Sequence, residues 1–141
     1  MSKLKNNGKL PAFKAKDING ETVTDSLLNK QANVILVWAS WNYDSHAALR
    51  HISKLVKEHP DSIAVVSIRM AASKHDGRNV LERDSIKWPD ICDGNIWESP
   101  LVDSLCIAYV PDNIVVDKKG NIVGRTLSTN DLKEKVLSLL K

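Results

Sequence analysis

Val34-Ile35-Leu36-Val37-Trp38-Ala39-Ser40-Trp41-Asn42-Tyr43-Asp44-Ser45 divides into two halves of different physical character. From Asn33 to Ser40 the run is apolar and rich in β-branched residues. It is long enough for a strand buried on both faces and too short for a free-standing helix. From Tyr43 to Glu58 the apolar residues Ala48, Leu49, Ile52, Leu55 and Val56 recur at three- and four-residue steps, which places them on one helical face. Asn42 stands at the junction. Asn is among the best helix N-caps, worth about 0.5–2 kcal/mol relative to Ala, and Asp44 in the first turn complements the positive end of the helix dipole. His59-Pro60 ends the helix.

Outward from this unit, strands and helices alternate. Toward the N-terminus, Pro11 to Lys16 and Glu21 to Thr24 read as strands joined at Ile18-Asn19-Gly20, where the Asn-Gly pair favours the positive backbone angles of a tight hairpin. Met1 to Lys9 is polar and lysine-rich, and is expected to be a loose arm. Toward the C-terminus, Ser62 to Arg69 repeats the buried-strand pattern, and a helix carrying Val80 and Leu81 follows, up to about Ser85. A short strand is predicted near Ile86 to Cys92, a helix from about Ser99 to Cys106, and a strand from Asn113 to Asp117. After a turn at Lys118-Lys119-Gly120, Ile122 to Arg125 pairs back as a hairpin. Thr129 or Asn130 caps a last helix with Leu132, Val136, Leu139 and Leu140 on one face. The order predicts an α/β fold: a central mixed sheet with helices on both faces and an N-terminal β-hairpin, in one domain over residues 10–141.

The chain has 141 residues, 43% apolar and 26% charged, which suits one domain with a real core and excludes disordered, collagen-like and coiled-coil classes. Its 20 basic and 17 acidic residues are interspersed, which argues against nucleic acid as the main partner. The longest apolar run, Val34 to Ala39, is too short to span a bilayer, so no membrane insertion is expected. Two cysteines, Cys92 and Cys106, are too few for a secreted disulfide framework, and their spacing fits no zinc or redox motif.

The opening stretch resembles the signature of the thioredoxin superfamily, an apolar strand leading into W-A-x-W-C-x-x-C at a helix start. Tyr109-Val110-Pro111, followed by Asn113 to Ile122 with its Asp117-Lys118-Lys119-Gly120 turn, is similar to that family's cis-proline loop and hairpin. The insert with Trp88-Pro89 and Trp97-Glu98-Ser99-Pro100 is most similar to exported, membrane-tethered bacterial members, the branch that includes the cytochrome-maturation thioredoxins. The resemblance implies a thioredoxin-like fold, a cis bond at Val110-Pro111, and a periplasmic or cell-envelope location if an export signal has been removed, otherwise a cytoplasmic one.

It also implies a loss. Thiol–disulfide exchange needs a thiolate at the helix N-terminus, where dipole and free amides lower its pKa, and a second thiol to resolve the mixed disulfide. Asn42 and Ser45 stand at those two positions, and Leu36 takes the place of the family's frequent buried acid. An oxygen cannot join a mixed disulfide, so conventional dithiol chemistry is not expected. The family's peptide groove needs no thiol, because the residue before the cis-proline offers its backbone to an extended chain. Trp41, Tyr43, Val110 and Pro111 are the candidate peptide-binding residues, with Trp97 near them, and the expected partner is an extended peptide or protein. The competing reading is a residual oxidoreductase or antioxidant enzyme using Cys92 or Cys106.

Other groupings carry less. Asp44-Ser45-His46 has the residue types of a hydrolytic triad, but consecutive helical residues point about 100° apart. His46 is expected on a solvated helix face. His46, His51, His59 and His75 lack the three- or four-residue spacing of helical metal ligands, and neither metal nor cofactor is expected. Trp38, Trp88 and Trp97 are expected to be packed in the interior, with Trp41 beside the site.

Overall fold

The computed structural model describes residues 8–70, 77–83, 86–92, 105, 107 and 109–140. The N-terminal hairpin consists of β1 (Lys14–Lys16) and β2 (Thr22–Thr24), paired antiparallel. The main sheet contains β3 (Ala32–Trp38), β4 (Ile63–Arg69), β5 (Asp90–Ile91), β6 (Asp112–Asp117) and β7 (Ile122–Arg125). Its order is β5-β4-β3-β6-β7, with β3 parallel to β4 and antiparallel to β6. All seven residues of β3 are buried, as its unbroken apolar pattern requires of a central strand covered on both sides.

Alternation along β3 sorts the core into two layers. Val34, Leu36 and Trp38 face the helices α1 (Tyr43–Glu58), α2 (Arg78–Arg83) and α3 (Thr129–Leu139), through Leu49, Ile52, Val80, Leu81, Leu132 and Val136. Ile35 and Val37 face the opposite layer, which contains Phe13, Val23, Leu28, Leu105 and Ile107. The three α-helices of the described residues share this face, and a 3-10 turn, Asp25–Leu27, leads into Leu28 of the opposite layer. The segment expected to supply the other face, Ser99 to Cys106, falls outside the described residues except for Leu105.

Several local expectations are corrected. The hairpin turn is not built on two positive backbone angles; Gly20 alone has one, at φ 82°. The connection is held instead by the Asp17 carboxylate, whose Oδ1 accepts from the backbone N–H groups of Asn19 and Glu21 at 2.8 and 2.9 Å. The same bonding recurs at Asp117, whose Oδ1 accepts from Lys119 and Asn121 at 2.9 Å each. The strand predicted for Ile86 to Cys92 contracts to two residues, because Pro89 has no N–H to give and contributes only its carbonyl, to Ser67 N. The cap of α3 is Ser128, with extended backbone and its hydroxyl accepting from Asp131 N, while Thr129 already lies in the helix.

Both sheet edges are occupied by the N-terminal segment. Ile122 N donates to Gly8 O at 2.7 Å, and Leu10 N to Gly120 O at 2.9 Å, along β7. Ile18 N donates to Asp90 O at 3.0 Å beside β5. Gly8 and Lys9, assigned to the loose arm from sequence, are thus tied to the sheet, and residues 1–7 lie outside the described residues.

Candidate functional site

The end of β3 delivers the chain to the N-terminus of α1, and the start of β6 brings Val110-Pro111 beside it. Asn42 joins the two. Its extended backbone (φ −109°, ψ 117°) is that of an N-cap, and Oδ1 accepts from Ser45 N at 3.0 Å. The other half of the same amide, Nδ2, donates to Val110 O at 3.1 Å. The Val110-Pro111 peptide is cis. One side chain therefore caps the helix and fastens the proline loop to it.

Ser45 is fully buried, and its Oγ accepts from Ala39 N at 3.1 Å, so the hydroxyl closes the strand-to-helix turn from inside. That position leaves it no access to a substrate. Asp44 is exposed, and His46 is half-buried with Nε2 2.8 Å from Ser40 O, which corrects its expected place on a solvated face. Asp44, Ser45 and His46 make no hydrolytic geometry.

Around Asn42 the surface is aromatic. Trp41 is 64% exposed, Tyr43 83% and Tyr109 63%, a contrast with Trp38, which is wholly buried, and Trp88, which is half-buried. Val110 is partly buried against the core, and Pro111 is half-exposed. Trp97 lies outside the described residues. Rings of this size left in water are the apolar surface on which an extended chain can pack, each able to cover 150–250 Å². Of the candidate residues from sequence, Trp41 and Tyr43 flank Asn42 in the chain and Val110 is bonded to it through its carbonyl, with Pro111 next in line; Tyr109, equally exposed, had not been singled out as a binding residue.

Cys92 follows β5 and is buried, a setting in which a thiol is inert rather than activated. Cys106 lies outside the described residues. Among the described residues no group of three or more His, Cys, Asp or Glu is placed to hold a metal, and no helix is long and apolar enough to cross a membrane.

A second polar cluster lay hidden in the strands. Asp90 Oδ1 accepts from Trp38 Nε1 at 2.7 Å and from Ser67 Oγ at 2.6 Å, and Ser67 Oγ accepts from Trp88 Nε1 at 2.9 Å. Arg69 Nε lies 3.0 Å from Asp90 Oδ2, and its guanidinium sits over the Trp38 ring, 5.7 Å from the centroid. Burial pushes the Asp90 carboxyl above its ordinary range, against the lowering pull of Ser67, Trp38 and Arg69. Ser67 and Arg69 are the polar residues of β4, but their meeting with Asp90 is set by strand register. The cluster braces β5 against β4 beneath the helix layer.

The strand order, the parallel β3–β4 pair, the antiparallel β6–β7 hairpin and the cis-proline loop facing the start of α1 define a thioredoxin-like fold. No family model matches the sequence, and no curated protein matches it. Solved structures do match. The thioredoxin domain of a thiol-disulfide oxidoreductase from Bacteroides vulgatus superposes with a TM-score of 0.85 at 20% identity, covering 98% of this chain and 99% of that one. A thiol-disulfide oxidoreductase from Bacteroides fragilis gives 0.82 at 22% identity over 93% and 98%. A thiol:disulfide interchange protein from a Bacteroides species gives 0.80 at 20% identity over 96% and 90%.

Proposed function

We propose that this chain is a non-catalytic thioredoxin-like module, lacking both active-site cysteines of the family it resembles, that binds an extended peptide or protein segment over Trp41, Tyr43, Val110 and Pro111. The observation that carries the reading is the Asn42 amide. It bonds Ser45 N and Val110 O together, so the residue at the attacking-thiol position serves to hold the surface in shape. The exposed rings of Trp41, Tyr43 and Tyr109 then flank a rigid centre. Strand addition at the proline loop must accommodate one prior bond, because the Val110 carbonyl already accepts from Asn42; its second lone pair and the side-chain contacts supply the rest. A cell-envelope setting accords with this reading through the resemblance to exported bacterial members.

The test uses two assays on the intact chain. Insulin disulfide reduction with a dithiol reductant should proceed no faster than with reductant alone, whereas the Asn42→Cys/Ser45→Cys variant should gain activity. A thiol-blocked, unfolded protein such as carboxymethylated lactalbumin should bind the native chain, and Trp41→Ala with Val110→Ser should weaken that binding tenfold or more. Turnover by the native chain would move the chemistry to Cys92 or Cys106, and unchanged affinity in the double variant would remove the peptide surface.

A further inference from the structure

At the far end of α1, roughly 20 Å from Asn42 by the rise of the helix, a cavity of about 670 Å³ opens between the helix and the loop that leads into β5. Its walls are apolar: Leu27, Val56, Ile63 and Trp88 line it, and Leu27 is one of the large apolar side chains left exposed, at 45%. The Trp88 ring is fixed as a wall by its bond to Ser67. The charged residues lining the cavity are Lys30, Lys57 and Lys87, and among the described residues no Asp or Glu joins them. Lys30 is held across the mouth, its Nζ 3.2 Å from Pro60 O, while Lys57 and Lys87 are exposed.

This lining departs from the chain as a whole. Acidic and basic residues are nearly balanced along the sequence, 17 against 20, yet here three cations gather on apolar walls with no acidic residue among the described lining. The size falls within the roughly 300–1,000 Å³ typical of small-molecule sites. A neutral apolar ligand would leave the lysines unused, and a cationic amphiphile would be repelled by them. We propose that this cavity binds a long-chain carboxylate, a free fatty acid, with its alkyl chain along Leu27, Val56, Ile63 and Trp88 and its head group among Lys30, Lys57 and Lys87. The proposal is independent of the peptide surface around Asn42, and either can fail without the other.

Calorimetric titration of the intact chain tests it, with octanoate, decanoate and dodecanoate below their critical micelle concentrations and dodecyltrimethylammonium as the oppositely charged control. Affinity should rise with chain length, by up to roughly fourfold per buried methylene. The ammonium amphiphile should bind at least tenfold more weakly than dodecanoate. Lys57→Glu/Lys87→Glu and Leu27→Asp change exposed side chains, so the fold, followed by circular dichroism, should be retained while dodecanoate affinity drops tenfold or more. No binding of dodecanoate, equal binding of the two head groups, or folded variants that bind as the native chain does would each overturn the assignment.

Discussion

Asn42 does two things that no other side chain does together at this position. Asp would keep the cap, since its carboxylate accepts from Ser45 N, but it has no N–H for Val110 O and would set a negative charge against that carbonyl. Asn42→Asp is therefore expected to preserve α1 while releasing the loop at Tyr109 to Pro111, with faster amide exchange there and a loss of about 1 kcal/mol in urea unfolding. Ser45→Ala removes the acceptor of the Ala39 N–H within the interior and should cost about 1–3 kcal/mol by the same measurement. The capping role of Asn42 was legible from residue type and from the pattern beginning at Tyr43. Its bond to Val110 was not, because the two residues are 68 positions apart and no local signal records that contact.

At the scale of elements, periodicity located β3, α1 and β4 to within two residues at either end, because each has a continuous buried face. Where a single group decides an end, the pattern failed: Ser128 took the cap of α3, and Pro89 shortened β5. The Arg69–Asp90 cluster was beyond reach for a different reason, since it depends on the register that sets Ser67 opposite Asp90. Gly77 guards this cluster. It has φ +94°, and a Cβ added there would meet the Trp38 ring at 3.0 Å and the Arg69 side chain at 3.1 Å. Gly20, at φ +82°, has nothing within 4 Å. Gly20→Ala should cost roughly 1–2 kcal/mol from backbone conformation alone, and Gly77→Ala should cost measurably more in thermal or urea unfolding, with a change in tryptophan fluorescence absent from the Gly20 variant. Equal losses would show that the Trp38–Arg69 stack yields freely.

For the molecule as a whole, carboxylates whose pKa differs between folded and unfolded chain make stability depend on pH. Burial raises the Asp112 carboxyl above its ordinary range, more than its bonds to Thr126 and Asn113 N and the charge of Arg125 lower it. The folded state thus holds this proton more tightly than the unfolded chain does, so stability attributable to Asp112 is lost as pH rises from about 4 through the folded pKa. Asp112→Asn imitates the protonated form, and its urea midpoint should gain on that of the native chain between pH 4 and pH 7. Asp117 runs the other way. Its desolvation is outweighed by bonds from the Asn121 backbone and side chain and from Lys119 N, with the charge of Lys9 adding to them, so its contribution is present above the ordinary carboxylate range and is lost below it. Which carboxylates are buried was legible only once the strands were paired, since Asp112 lies just before the strand predicted from Asn113 to Asp117.

Gly8 to Leu10 lie against the last strand of the sheet, and Lys9 Nζ reaches Lys119 O, 110 positions along the chain. These residues are synthesised well before the strand they cover, so they cannot find their places until it is made. Until they dock, the N–H of Ile122 and the carbonyl of Gly120 stand on an open edge able to pair with another nascent chain. The segment from Gly8 to Leu10 acts as a late-arriving guard against the company of unfinished copies.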